Sequence, residues 1–385
     1  MHSFGTLQDL YTYIKADLDD TTLRPATVSV REPEKPKAKL RILFACNTSG
    51  KTRLATAFQE ENQETEVEED KKEQVLCYNA FFEDYFHWDN ENLVLLLDKN
   101  SWVSQLIEDE GLEPDIEDNF KKLTSSKVEP EFEFDKGIIS FGFLTGDDNK
   151  IDKIKISRAE ESLFIWCVFY TILERVIELL SENPEERSTN IFDDIKYIVI
   201  DDPVSSMDDN RIITLALDLV QLIELISKLD NKLNILITTY HCLFYNILHS
   251  TSVDGVSIKK YLLEKKEDNT LSLTTQNKDS PFAYHLILLK EIKKAVDSDN
   301  IKKYHCNFFR AILEKTANFL GYVGGWRALL PDDANREYIA KLLNTYSHNS
   351  LAEIEDSSLQ LAEKELFKTA FSTFFEKFNW SCSND

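Results

Sequence analysis

The sequence predicts an α/β domain followed by a mostly α-helical one. Three observations carry that prediction. Leu40-Arg-Ile-Leu-Phe44 is a short apolar run that passes through Gly50, Lys51 and Thr52 into a helical pattern, the order of a strand, a tight loop and a helix. Ile195-Lys-Tyr-Ile-Val-Ile200 is a second apolar run, closed by two carboxylates, Asp201 and Asp202. Beyond Pro281 strand signals fade and helical periodicity takes over.

At 385 residues the chain is long enough for two domains. A composition of 42% hydrophobic and 29% charged residues fits a soluble globular protein. The formal net charge of -24 disfavours non-specific attraction to nucleic acid or anionic membrane. Any polyanion site must therefore be local. The six cysteines are scattered without zinc-ligand spacing, which fits reduced thiols and a cytoplasmic setting. No basic segment followed by an apolar one opens the chain, and the longest apolar run, Leu163 to Leu173, is too short to cross a bilayer. No membrane partner is expected.

Three segments are expected: residues 1–37 as an N-terminal helix and linker, 38–281 as the α/β domain with a short insert, and 282–385 as the helical domain. Leu7, Leu10, Tyr11, Ile14 and Leu18 have helical spacing, and Pro25, Pro33 and Pro36 mark the linker. That arm could be a simple extension or a docking element. The acidic run from Glu60 to Glu73 reads as a solvated loop or helix end, and Val75 to Asn79 as a strand. Residues 91–130 read as helical. Phe132-Glu-Phe134 and Ile138 to Phe143 alternate as strands around a turn at Asp135-Lys-Gly137. No heptad repeat runs through this insert. An apolar helix follows from Ile156 to Leu180. Ile212 to Leu229 reads as a buried helix, Leu233 to Thr239 as a parallel strand, and Val256 to Leu263 with Thr270 to Thr275 as a hairpin.

Several of these places suggest chemistry. Ala45-Cys-Asn-Thr-Ser-Gly-Lys-Thr52 matches the phosphate-cradling pattern G-x-x-x-x-G-K-[ST] except that Ala45 replaces the first glycine. Gly50 lets the backbone approach phosphate, Lys51 reaches the outer phosphates, and Thr52 offers a hydroxyl to Mg²⁺. Paired acids at a strand end are costly without a partner, and Mg²⁺ with its phosphates is one such partner for Asp201 and Asp202. Ser157 caps the next helix with Glu160 completing a capping box; the same cap could bind a phosphate at the helix start. Tyr240 and His241 stand at a strand end, where α/β sheets collect ligands. Between Tyr284 and His348 there are ten Lys/Arg against seven Asp/Glu, a locally basic stretch in an acidic chain. It could carry a polyanion site or be a solvated face.

In this order these elements resemble an ABC-type ATPase, which makes the first domain an α/β P-loop ATPase head. The resemblance implies that Asn47, Ser49, Gly50, Lys51 and Thr52 bind nucleotide in one head, and Ser157, Glu160, Asp208 and His241 complete the site. Thr52 and Asp201 would hold Mg²⁺, and Asp202 would stand where most such enzymes carry the glutamate that orients water. Ser205-Ser-Met-Asp208 looks like the D-loop. One chain has one set of these parts, so a homodimer or higher oligomer is implied. Asp202 is one methylene shorter than glutamate, and Tyr240 occupies the place expected for the histidine, with His241 one residue later.

A narrower resemblance rests on Asn79-Ala-Phe81 with Trp88-Asp-Asn90, Ile200 to Ser206, Phe244-Tyr-Asn246, and Glu314-Lys-Thr-Ala317 with Phe319-Leu-Gly321. From about Ala38 to about Ala352 the chain resembles the PrrC-type anticodon nucleases, whose helical domain is similar to the HEPN ribonucleases. The resemblance implies a helical nuclease domain in which Arg310, Glu314 and His348 form the ribonuclease site. It also implies cleavage of lysine tRNA 5′ of the wobble base, using the 2′-OH and no metal. ATP or GTP with Mg²⁺ would gate the head. Partners would be a type I restriction-modification complex that holds the enzyme latent and a phage-derived trigger. The family's anticodon-reading stretch falls near Thr275 to Pro281. Two rivals remain: a DNA-repair or clamp ATPase without nuclease activity, and a nucleotide-dependent binding switch.

Overall fold

Register between parallel strands is what gathers the P-loop and the paired acids. The computed structural model describes residues 2–19, 38–45, 49–62, 74–124, 127–144, 150–151, 153–204, 207–229, 233–266, 268–276, 284–332, 334–347 and 359–380. The chain divides into two units, Met1–Pro281 and Phe282–Asp385.

The first unit runs β1 (His2–Phe4), α1 (Leu7–Asp19), β2 (Ala38–Ala45), α2 (Lys51–Glu60), β3 (Val75–Tyr78), α3 (Ala80–Glu83), β4 (Phe86–Asp89), β5 (Val94–Leu97), α4 (Trp102–Glu110), α5 (Glu113–Thr124), β6 (Glu129–Glu133), β7 (Ile138–Leu144), β8 (Lys150–Ile151), α6 (Arg158–Ser181), β9 (Tyr197–Asp201), α7 (Asp209–Ile226), β10 (Asn234–Thr239), α8 (Cys242–Ser250), β11 (Val256–Lys265) and β12 (Leu271–Thr275). Its main sheet has the order β1-β12-β11-β2-β10-β9-β3. The five strands from β11 to β3 are parallel, and β12 and β1 add antiparallel. Thr239 lies opposite Phe44 and Thr238 opposite Asp201. The ends of β2, β9 and β10 therefore meet at one edge, where ligands of open α/β sheets bind.

Alternate strand residues face two layers. On one face, α1 and α2 bury Leu10, Tyr11, Ile14, Leu18, Leu54 and Phe58 with Leu43, Val199 and Leu236 of the sheet. On the other, Tyr78 packs against Trp166 and Phe169 of α6, and Phe44 against Tyr245 of α8. Thr6 and Asp9 start α1 by reciprocal bonds, Asp9 N–H to the Thr6 hydroxyl at 3.1 Å and Thr6 N–H to the Asp9 carboxylate at 3.0 Å, a capping-box geometry. The N-terminal helix is thus a layer of this unit.

The insert between β3 and α6 holds a second, antiparallel sheet, β4-β5-β7-β6, with β8 beside β7. Val94–Leu97 is a strand within it, paired to β4 and β7, where the sequence predicted helix. A four-residue apolar run has no periodicity to tell the two apart, and pairing on both edges decides it.

The second unit is helical: α9 (Tyr284–Asp297), α10 (Tyr304–Leu320), α11 (Arg336–Ser347) and α12 (Leu361–Lys377), with a 3₁₀ turn at Gly325–Leu329. Phe309 centres its core, with the rings of Phe367, Phe371 and Phe374 at 5.5, 5.5 and 5.6 Å. Phe319 of α10 is an exception among these aromatic residues, being 91% exposed. It sits in the last turn, beyond the packed length of the helix.

Candidate functional site

At the edge shared by β2, β9 and β10, Gly50 takes φ +93° and opens α2. That left-handed conformation favours glycine, and it aims the start of α2 so that Lys51 and Thr52 turn toward the acid-ended strand. Ser49 and Lys51 are buried. The Lys51 ammonium donates to the Ala45 carbonyl at 3.1 Å and lies 3.7 Å from the Asp202 carboxylate. Thr52 donates its hydroxyl to Asp201 at 2.6 Å, and Thr238 donates to the other Asp201 oxygen.

Asp202 has φ +53°, an uncommon conformation for a residue with a Cβ. Its carboxylate accepts from the Thr239 hydroxyl at 3.1 Å and the Tyr240 N–H at 3.3 Å. Burial pushes its pKa up to about 6, against the opposing pull of Lys51. The Tyr240 ring lies 5.4 Å from the Lys51 nitrogen. So Tyr240, not His241, meets the P-loop lysine. His241 starts α8, its N–H donating to the Thr239 hydroxyl at 3.0 Å. Burial lowers its pKa, with Asp209 opposing, which favours the neutral imidazole.

The hydroxyl of Thr52 and the carboxylate of Asp201 supply hard oxygen donors suited to Mg²⁺. Among the described residues no group of three or more His, Cys, Asp or Glu could cage a metal alone. Two protein oxygens completed by phosphates and water is the usual arrangement for Mg²⁺ at a nucleotide, so the residues fit the ion. Ser157 and Glu160 form the full capping box: the Ser157 oxygen accepts from the Glu160 N–H at 3.2 Å, and Glu160 accepts from the Ser157 N–H at 2.8 Å. Both helix-start readings of Ser157 share this geometry. Asp208 caps α7 by accepting from Asn210 and Arg211 N–H groups at 3.1 Å each. Asn47 and the Ser205-Ser206 part of the D-loop lie outside the described residues.

In the helical unit, Arg310 and Glu314 share one face of α10 and pair at 2.9 Å. Arg310 also donates to the Asn344 side-chain oxygen on α11 at 2.6 Å. Its guanidinium lies 5.4 Å from the centre of the Trp326 ring, within cation–π range. The arginine side chain is 17% exposed and that of Glu314 43%; the first is held and the second can reach solvent. Asn344 and Trp326 were not singled out from the sequence, since neither lies in a motif. His348 falls four positions after Asn344 and lies outside the described residues, as does most of the stretch from Thr275 to Pro281.

A buried P-loop lysine, a helix-borne threonine hydroxyl bonded to an acid-ended strand, and a parallel sheet define the first unit as a P-loop nucleotide-binding head. A family model described as an AAA domain matches residues 143–376, more than half of the chain. The "Anticodon nuclease" of Escherichia coli is 38% identical over 351 residues, covering 86% of this chain and 87% of that protein. The chain belongs to this anticodon nuclease family. Two solved structures are also similar. The SMC head domain from Thermotoga maritima has a TM-score of 0.29 at 11% identity, covering 62% of this chain and 91% of that one. The SmcHead bound to the C-winged helix domain of ScpA has a TM-score of 0.32 at 10% identity, covering 63% and 91%.

Proposed function

We propose that the chain is a nucleotide-gated anticodon nuclease whose cutting site is built on Arg310, Glu314 and His348. The observation that carries this reading is Arg310, held by Glu314, Asn344 and Trp326, in a chain 38% identical to a named anticodon nuclease. A fixed guanidinium suits charge that develops on a phosphate during displacement. The 2′-oxygen of one nucleotide attacks the adjacent phosphorus as a base removes its proton. The bond to the 5′-oxygen breaks, and an acid protonates the leaving oxygen. Glu314 and His348 divide those roles. The products are a 2′,3′-cyclic phosphate and a 5′-OH, and no metal is needed.

The substrate is lysine tRNA, cut 5′ of the wobble base, where an unpaired loop leaves bases free to be read. ATP or GTP with Mg²⁺ binds the head through Ser49, Gly50, Lys51 and Thr52, with Asn47 alongside. Asp201 serves the metal and Asp202 the water. A dimer would bring Ser157, Glu160, Asp208 and His241 to the partner's nucleotide. A type I restriction-modification complex holds the enzyme latent until a phage-derived trigger releases it. Among the described residues the insert is a small antiparallel sheet with three short helices, without the long coiled coil that a DNA clamp would need.

The test is end-sequencing of total tRNA treated with activated wild type, Arg310→Ala, His348→Ala and Lys51→Ala. Wild type yields cyclic-phosphate ends in the lysine anticodon, the first two variants yield none, and Lys51→Ala loses nucleotide control. Intact lysine tRNA with wild type, or full cutting by Arg310→Ala, sinks the reading.

A further inference from the structure

The end of α10 and the turn after it combine an acid-free sequence with exposed apolar side chains. From Lys315 to Pro331, seventeen residues pass without an acid, in a chain carrying 68 of them. Within that stretch Phe319 is 91% exposed, Leu320 47%, Tyr322 37% and Val323 106%. Large apolar side chains crowded on an exposed surface mark an interaction site.

The turn has a defined shape. Gly321 ends α10 at φ +70°. Tyr322 N–H donates to the Ala317 carbonyl at 2.9 Å and Gly325 N–H to that of Tyr322 at 3.0 Å. These bonds fix the backbone while Phe319 and Val323 point into solvent. The basic groups are close by: Lys315 and Arg327 are exposed, Lys377 lies 5.9 Å from the Tyr322 ring, and Arg327 lies 5.8 Å from that of Trp326. The turn runs back into the proposed cutting site, because the other neighbour of Trp326 is Arg310.

Aromatic faces beside cations match the chemistry of unpaired nucleotides: rings stack on bases, and lysine or arginine meets phosphate. We infer that the turn Phe319–Arg327 is a stacking platform for the unpaired bases beside the scissile phosphate, with Phe319 as the principal ring. This rests on the tRNA-nuclease reading and adds to it where the substrate loop is gripped. The cations at the turn, Lys315, Arg327 and Lys377, favour a polyanion over a second copy of the chain as occupant.

The experiment uses the full chain and a fluorescein-labelled hairpin carrying the lysine anticodon loop, with one 2′-deoxyribose at the cleavage position to prevent cutting. Affinity is read by anisotropy, and oligomeric state by sedimentation, for wild type, Phe319→Ala and Phe319→Trp. Loss of one base stack weakens binding about ten-fold or more. Phe319→Ala should show that loss with an unchanged melting temperature and sedimentation coefficient, and Phe319→Trp should restore affinity. Unaltered binding by Phe319→Ala overturns the platform. So does a loss that tracks a change in oligomeric state, which would make this a protein–protein face. If wild type neither binds the hairpin nor cuts tRNA, the nuclease reading falls and takes the platform with it; if wild type does both, only the platform is at stake.

Discussion

Replacing Asp17 by asparagine should destabilise the nucleotide-binding head by about 3 kcal/mol, the low end of the penalty for breaking a buried ion pair. Asp17 lies on α1 and pairs with the Arg41 guanidinium from β2 and the Lys259 ammonium from β11, and it accepts from the Tyr261 hydroxyl at 3.0 Å. The Arg41 side chain is 2% exposed, so it cannot recover solvation when its counter-charge goes. Three hydrogen bonds survive the change: to the carbonyls of Leu40 at 3.1 Å, Ser257 at 2.7 Å and Asp17 itself at 3.0 Å. They keep the penalty near its low end. Lys259 is 45% exposed and adds little. Urea unfolding followed by tryptophan fluorescence measures the effect.

Two controls sharpen it. Burial raises the Asp17 pKa, but Lys259 and Arg41 outweigh it and hold the carboxyl below its ordinary value. A lowered folded pKa means that the stabilisation is complete above the unfolded value of about 4 and is lost as pH falls through the folded one. The gap between wild type and Asp17→Asn should therefore be equal at pH 7 and pH 5 and shrink only in stronger acid. Adding Arg41→Met should recover part of the loss, because the penalty lies in the stranded charge. A single-variant loss under about 1 kcal/mol, the scale of an exposed pair, or a double variant no better than the single, would refute this reasoning.

Gly50→Ala should lower stability by about 1–2 kcal/mol, the cost of a Cβ in the left-handed region, since Gly50 has φ +93° and the new carbon would lie 3.4 Å from Leu7 of α1; thermal melts with and without nucleotide would show a larger loss of ligand-induced stabilisation. Phe309→Ala should cost about 3–5 kcal/mol by emptying the centre of the helical core, and calorimetry should find the loss in the transition of that unit while nucleotide hydrolysis persists. Asn344→Ala frees one side of Arg310 but opens no core, so tRNA cutting should fall about ten-fold, about 1.4 kcal/mol in the barrier, with the melting temperature nearly unchanged.

The strands and helices that carry the head were legible because their patterns are long or bounded. The run into Gly50, the acid-ended strand and the Ser157 capping box each give a local signal that the three-dimensional structure repeats. Val94–Leu97 was not legible, because four apolar residues satisfy a helix and a strand equally and only pairing with β4 and β7 separates them. Nor was the role of α1. Its apolar spacing announced a helix, but the bond that makes it part of the head joins Asp17 to Arg41 and Lys259, residues far apart in sequence and ordinary in composition.

The same distinction separates the two candidate sites. Lys51, Thr52, Asp201 and Asp202 were readable because each occupies a fixed place at a strand end or helix start, and parallel register carries those places to one edge. Tyr240 read as a departure from a histidine, and the structure sets its ring beside Lys51 and its N–H on Asp202, within the same edge. Arg310 and Glu314 were readable as a pair because four residues make one helical turn. What distinguishes them from an ordinary surface pair comes from elsewhere: Asn344 on α11 and Trp326 after the turn. No spacing rule links those two residues to Arg310, so a sequence pattern can nominate the arginine but cannot supply its clamp. The exposure of Phe319 belongs to the same class. Helical periodicity assigns it a buried face, and only where the packed length of α10 ends reveals that its ring stands in solvent.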